Sequence, residues 1–378
     1  MKARKAVYAA SLDPITFGHI NVVERMAPLY DEFVVVVAVD PRKSYTFTPE
    51  ERVAMARLAL LHIKNVRVDI CVGQYVVKFA DSIGAQVIIR GLRGWRDMED
   101  EEVLSEENRQ ICPRIETVYV GCLKELRYVS SSLVKGHVGA DPNWEEQAER
   151  SAPPAVVAKL KEKFILKRAR RHWDALMVDL GQPKGSERIF LDLVARYGET
   201  HRAYHTLEHI VSMLDELREV CTLLSAPSDV NLAVWYHDVV YEPPSKDHPV
   251  IADNEARSAY RAELDLQKLG LTKNTIEHVK ELIMATTHTE MAPDLDAQYL
   301  VDLDLAILGK SAKKFDRYDR GIANEYSWLP IQDFRRGRAD VMEKFLNRKP
   351  LYLTKFFQDR YEATAKENLR KLVANLRG

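Results

Sequence analysis

Cysteine is scarce: there are four in 378 residues, Cys71, Cys112, Cys122 and Cys221, and no two stand at a metal-ligand spacing. That excludes a disulfide framework or thiolate metal site as an organising feature and predicts reduced thiols in a cytoplasmic protein. Net charge is also lacking, at −1 from 55 basic and 56 acidic side chains. No bulk field draws the chain to nucleic acid or an anionic membrane, so neither is expected as a partner. An anion must instead be gripped by a few placed groups. No apolar run approaches the roughly 20 residues that span a bilayer. The opening Met1-Lys2-Ala3-Arg4-Lys5 leads into a strand-like segment without an apolar signal core. Internal repeats and low-complexity tracts are absent as well.

What is present is an ordinary globular balance, 46% hydrophobic and 29% charged. At roughly 150 residues per domain the length predicts two domains, or three. The first 136 residues alternate strand and helix patterns. Strands are expected at Lys5–Ala10, Glu32–Asp40, Val66–Cys71, Val87–Arg90 and Glu116–Val120. Helices are expected at His19–Leu29, Pro49–Leu61, Tyr75–Ile83 and Met98–Ile111. The β-branched run EFVVVVAVD suits a strand buried on both faces of a parallel sheet. The alternation predicts an α/β Rossmann-like, doubly wound parallel sheet, whose ligands sit at the carboxyl ends of the strands. Residues 137–155 read as a loop leading to a closing helix, Ala155–Phe164. From about Leu166 the pattern is helical almost throughout. The expected domains are therefore 1–165, α/β, and 166–378, all-α.

After the first strand comes Ser11-Leu12-Asp13-Pro14-Ile15-Thr16-Phe17-Gly18-His19. Thr-x-Gly-His opening a helix suits an anion: free backbone N–H groups and the helix dipole favour negative charge, Gly18 permits close approach, and His19 can donate a hydrogen bond. The plainer alternative is a capped βα turn. Arg90-Gly91-Leu92-Arg93 places two guanidiniums at the carboxyl edge of the sheet, where forks suit phosphate. Ser130-Ser131-Ser132, ending in Lys135, is either a helix cap or a second anion site. Lys43 follows the second strand and reads as a phosphate ligand or a solvated lysine.

The segments AVYAASLDPITFGHINVVERM, TPEERVAMA, VIIRGLRGWRDMEDE, NRQICPRIETVYV and YVSSSLVK together resemble the phosphopantetheine adenylyltransferases of the HxGH nucleotidyltransferase superfamily. The likeness runs from Ala6 to about Phe164. It implies that Ser11, Thr16, Gly18 and His19 meet ATP phosphates, and that Lys43 and Arg90 grip the acceptor phosphate. By the same likeness Arg93 and Ser130, Ser131 and Ser132 hold the β- and γ-phosphates, with Gly91, Asp97 and Glu101 near the adenosine. It further implies Mg²⁺ with ATP, release of pyrophosphate and a homo-oligomer. Departures are Ala10-Ser11-Leu12 for Gly-Thr-Phe, Phe17 for Asn, Asp100 for an acceptor-pocket aromatic, and Gly121-Cys122-Leu123 for Met-Pro-Ser. They leave open a phosphorylated acceptor other than 4′-phosphopantetheine, and CTP as an alternative to ATP.

Seven of the eleven histidines lie between Tyr197 and His288. His205 and His209, four apart, are expected on one helix face. His237-Asp238 on a second helix and an Asp on a third can complete a metal site of nitrogen and oxygen donors. RYGETHRAYHTLEHI, AVWYHDVVYEP, DNEARSA, LVDLDLAILG and IANEY resemble the HD superfamily, in its branch of predicted metal-dependent phosphohydrolases, from about Leu166 to Leu372. That resemblance implies His209, His237, Asp238 and Asp304 as metal ligands, with Asp302 the rival for the last place. It implies His205 beside the metal as general acid or substrate ligand, and a phosphate-ester or nucleotide substrate. The ion would be Mn²⁺, Fe²⁺, Co²⁺, Ni²⁺ or Mg²⁺. His288, Asp253 and Glu255 would add a second metal, order the first, or be structural. Lys246, Arg202 and Arg257 are candidates for substrate phosphate or for solvated surface charge.

Overall fold

A computed structural model describes residues 3–141, 143–243, 253–288, 292 and 294–378, without the side chains of Arg96 and Asp100. The expectations for Asp100 and Lys246 lie outside these described residues. The chain divides into two compact units, 1–164 and 165–378.

In the first unit, five strands, β1 (Lys5–Ala10), β2 (Glu32–Val39), β3 (Val66–Val72), β4 (Val87–Leu92) and β5 (Glu116–Gly121), form one sheet in the order β3-β2-β1-β4-β5. Every pairing is parallel. Helices α1 (Phe17–Met26), α2 (Pro49–Ala59), α3 (Val76–Ser82), α4 (Trp95–Ile111), α5 (Ser131–His137) and α6 (Trp144–Glu149) connect or follow them. The apolar run of β2 is explained by its two faces. Phe33, Val35 and Val37 enter one core and Val34 and Val36 the other, because successive side chains alternate across a covered sheet. The strand order reverses between β1 and β4, which opens a crevice at their carboxyl ends. Helix α2 starts where TPEE says it should. The Thr48 hydroxyl accepts from Glu51 N–H, Glu51 accepts from Thr48 N–H, and Pro49 fills the first turn.

Two expectations are corrected. Residues 137–155 are not all loop: α6 forms inside them because buried Trp144 and Ala148 anchor it, with Trp144 set edge-on to Phe164. The closing helix does not stop at Phe164; α7 runs Pro154–Asp179. No breaker intervenes, and Ile165, Ala169, Trp173 and Leu176 continue one buried face at helical spacing.

The second unit is helical among its described residues: α8 (Ser186–Tyr197), α9 (Leu207–Val220), α10 (Pro227–Tyr236), α11 (Asn254–Lys268), α12 (Lys273–Ala285), α13 (Leu295–Leu305), α14 (Ala312–Glu325), α15 (Ile331–Asn347) and α16 (Lys355–Arg377). Trp173, Phe190 and Trp235 meet in its core with ring centroids 5.3–6.1 Å apart. Among the described residues no helix is long and apolar enough to cross a membrane.

Candidate active sites

The first unit carries a cleft of about 450 Å³ at the strand ends. Ser11, Thr16, Gly18, His19, Lys43, Arg90, Gly91, Arg93, Asp97, Glu101 and the three serines all line it. Tyr8, not singled out in the sequence, lines it too. The capping of α1 sets the state of His19. Its Nδ1 accepts from the Thr16 backbone N–H at 3.0 Å and lies 2.9 Å from the Thr16 hydroxyl. A neutral ring that accepts at Nδ1 must carry its proton on Nε2, as a donor. Burial, with the Arg93 cation nearby, pushes the imidazole down to about 4, so the neutral donor is the form present near pH 7.

Both guanidiniums in the cleft are already paired. Arg90 meets Glu101 through two nitrogens and donates to the Ala9 carbonyl at 2.7 Å. Arg93 donates to Asp97 from Nε at 3.0 Å. Asp97 and Glu101 thus orient the arginines and temper their charge. The serines divide their work: Ser130 caps α5 by accepting from Leu133 N–H, and Ser131 donates to the Pro14 carbonyl at 2.8 Å. Lys135 does not face a ligand alone. It pairs at 2.8 Å with buried Asp13, which also accepts from Thr46 and Phe47 N–H, tying α5 to the β1–α1 and β2–α2 loops. At Gly18 a Cβ would meet the chain only at ordinary contact distances; at Gly91 it would lie 3.2 Å from the Val22 side chain, which would have to shift by a few tenths of an ångström. Phe17 lies on an apolar cavity with Ile20, Met55 and Leu58, outside the lining of this cleft.

In the second unit four side chains converge. His209 Nε2 lies 3.3 Å from His237 Nε2, 3.2 Å from Asp304 Oδ1 and 3.7 Å from Asp238 Oδ2. His237 Nε2 lies 3.1 Å from Asp238 Oδ2. His205 and His209 do not share a helix face as expected. Thr206 is the extended residue before α9, so His205 stands ahead of the helix. Nor is His237-Asp238 within a helix: α10 ends at Tyr236, and the pair follows its last turn.

The donor set fits a divalent cation. Ligands held at about 2.1 Å around an ion lie about 3.0–3.4 Å from one another, close to the separations here. His237 Nδ1 donates to the Val234 carbonyl at 3.0 Å, which turns Nε2 toward the cluster. Burial works against the charged forms, yet Asp238 and Asp304 lift His237 to about 9. Against the same burial, their histidine partners hold both carboxyls well below the usual range. The cluster calls for positive charge. His288 joins it by a 3.0 Å bond from Nε2 to Asp304 Oδ2.

Asp302, the rival to Asp304, is spent elsewhere: it accepts from Leu353 N–H and from Thr354 N–H and hydroxyl, holding the turn that leads into α16. Glu255 lies on the same cavity as Asp238, and burial beside the Asp238 and Asp253 charges raises its carboxyl. Asp253 precedes α11 without a side-chain cap bond. Arg202 is neither a solvated charge nor a substrate ligand. Its side chain is buried and donates to the carbonyls of His205, Asp238 and Val239, bolting the two motif turns together. Arg257 is paired at the surface with Glu242. The residue sequence reasoning missed is Glu325. It is buried, accepts from the N–H groups of Ala203, Tyr204 and His205, and holds His205 Nδ1 at 2.7 Å. Only its place in IANEY at the end of an amphipathic helix could have drawn notice to it.

A profile described as cytidylyltransferase-like matches residues 7–137. The phosphopantetheine adenylyltransferase of Heliobacterium modesticaldum is 40% identical over 161 residues, which span 42% of this chain and 92% of that protein. That of Synechococcus sp. (strain JA-3-3Ab) is 39% identical over 163 residues, 43% of this chain and 98% of that protein. The enzyme of Bdellovibrio bacteriovorus is 45% identical over 130 residues, 34% of this chain and 81% of that protein. Through its N-terminal region, the chain belongs to the phosphopantetheine adenylyltransferase family.

Proposed function

We propose that the chain is bifunctional, with an adenylyl-transferring first unit and a metal-dependent phosphohydrolase second unit. In the first, a phosphorylated acceptor such as 4′-phosphopantetheine attacks the α-phosphorus of Mg²⁺-ATP in line, and pyrophosphate leaves. No covalent intermediate is needed; the protein positions the reactants and stabilises charge. The observation that carries this reading is the capped, neutral His19, whose Nε2–H is a ready donor to phosphate oxygen. Arg90 and Arg93, braced by Glu101 and Asp97, supply the positive field.

In the second unit His209, His237, Asp238 and Asp304 would hold the ion. A divalent ion supplies a water of lowered pKa, and so a hydroxide for attack on phosphorus. His205, fixed at Nδ1 by Glu325, keeps Nε2 for exchanging a proton with substrate. Arg202 keeps the His205 and His237-Asp238 turns in register. The observation carrying this half is the convergence of His209, His237 and Asp304, with Asp238 3.1 Å from His237 and His237 oriented from behind.

The deciding assay is pyrophosphate release from ATP and from CTP across a panel of phosphorylated acceptors, with the product then offered to the second unit. Turnover with ATP and 4′-phosphopantetheine is expected. Turnover only with another acceptor or with CTP would replace that substrate assignment, and no release with any pair would overturn the transfer reading.

A further inference from the structure

The second unit's cluster opens on a cavity of about 600 Å³ whose lining includes His205, His237, Asp238 and Asp304. That volume lies within the about 300–1,000 Å³ typical of small-molecule sites. Away from the cluster the lining is largely aromatic and aliphatic, with Tyr318, Tyr326, Phe334 and Phe345 among it. Among the described lining residues other than histidine, Arg338 is the single basic side chain, against the carboxylates of Asp238, Glu255, Asp304 and Asp333. The first unit's cleft, with Lys43, Arg90 and Arg93, has the opposite character.

Arg338 is unusual. It is 9% exposed, and its Nε donates to Asp319 at 3.0 Å, yet its Nη2 is buried without a hydrogen-bond partner. A buried donor left unpaired costs about 1–3 kcal/mol unless something accepts from it. It is also remote from the phosphoryl end. Its guanidinium lies 4.9 Å from the Tyr318 ring centre, Tyr318 lies 4.6 Å from Tyr204, and Tyr204 lies 4.8 Å from His209. Two aromatic rings, Tyr318 and Tyr204, stand between Arg338 and the cluster in this chain of contacts.

Resting on the hydrolase reading above, we infer that this cavity takes phosphomonoesters of an aromatic alcohol, with Arg338 Nη2 donating to an acceptor on the ring system. The single phosphate goes to the cluster, the ring packs among the aromatic side chains, and the acceptor satisfies the orphan N–H. Within this cavity a polyphosphate chain is disfavoured, because its further charges would meet carboxylates and apolar rings; the cations Lys310, Lys314 and Arg317 line a separate cavity beside His209 and Asp304. In the reaction a water oxygen bonds to phosphorus, the ester P–O bond breaks, and a proton from that water ends on the released alcohol, leaving inorganic phosphate.

The test uses the full chain with Mn²⁺ and four probes: 4-acetylphenyl phosphate, phenyl phosphate, glycerol 1-phosphate and tripolyphosphate. Expected kcat/KM falls in that order. Arg338→Met should raise KM for 4-acetylphenyl phosphate about tenfold more than for phenyl phosphate. Arg338→Lys should recover part of that difference, and circular dichroism checks folding. Calorimetric binding of the two aryl phosphates to the protein loaded with Ca²⁺ in place of Mn²⁺ gives a readout independent of turnover. It should show the same preference and the same loss in Arg338→Met. If glycerol 1-phosphate or tripolyphosphate is turned over as well as the aryl esters, or if Arg338→Met moves both aryl esters equally, the substrate class is wrong while the hydrolase reading stands. If nothing is hydrolysed but the aryl phosphates bind with the stated preference, the hydrolase reading fails and the ligand class survives. Absence of both overturns both.

Discussion

The two units solve opposite electrostatic problems. The first gathers cations, hydroxyls and N–H groups at the edge of a parallel sheet, where an anion is wanted. The second gathers imidazoles and carboxylates between helices, a donor set suited to a cation. In each, surplus charge is braced by a neighbour: Glu101 and Asp97 pair with Arg90 and Arg93, while the imidazoles of His209, His237 and His288 contact Asp238 and Asp304. A polar site in a folded chain is kept near neutrality until its ligand arrives, because uncompensated buried charge is costly. The difference lies in where the braces come from. In the first unit Arg93 and Asp97 are four residues apart, and Arg90 and Glu101 eleven. In the second, Asp304 meets His209 from 95 positions away, and Glu325 holds His205 from 120.

The largest expected effect breaks the cluster outright. Asp304→Ala should abolish bound metal, read by elemental analysis, and reduce phosphate-ester hydrolysis to background, while pyrophosphate release by the first unit persists. Loss of both activities in a folded protein would mean the units are not independent. The reciprocal change, His19→Ala, should cut nucleotidyl transfer by about 10²–10³-fold, the usual cost of losing one preorganised donor, and spare metal content and hydrolysis.

A smaller effect concerns acid. His19 in the folded chain sits at about 4 rather than the ordinary 6.5, through burial and then Arg93. The unfolded chain therefore binds a proton between those values that the folded chain refuses. Stability from this group is complete above pH 6.5 and falls as pH drops toward 4. At pH 5 the loss is at most about 2 kcal/mol. Between pH 7.5 and 5, the wild type should lose more thermal stability than His19→Asn; equal losses would mean the imidazole is not held neutral.

The smallest expected effect sharpens the bracing idea. Glu101→Gln should remove the charge that tempers Arg90 and tighten pyrophosphate binding by a few fold, roughly the weight of one partly buried ion pair. Unchanged or weaker binding would make Glu101 a ligand-facing group rather than a brace.

Much of the first unit was readable because its signals are local. A β-branched run such as EFVVVVAV permits little but a buried strand, and TPEE carries its own cap. What stayed hidden was which polar atoms were free. The three serines read as a helix cap or an anion site, and the structure divides them: Ser130 caps the helix and Ser131 binds the Pro14 carbonyl. The acidic stretch around Trp144 looked like loop because its helix depends on two buried anchors rather than on composition. In the second unit the residue types of the cluster were readable from their clustering in sequence. The resemblance put Asp304 ahead of Asp302, but where each is engaged was not readable: Asp304 faces His209, while Asp302 accepts from the turn before α16.

By itself the sequence determined the class of each unit, the parallel sheet, and the families of side chain available for anion and cation. Those follow from periodicity and local capping, which act over a few residues. Only the tertiary structure decided that Arg202 is a bolt rather than a ligand, that Glu325 holds His205, and that Arg338 keeps an unpaired donor beside an aromatic cavity. Burial and hydrogen-bond pairing are properties of what distant segments bring together, and no window along the chain contains them.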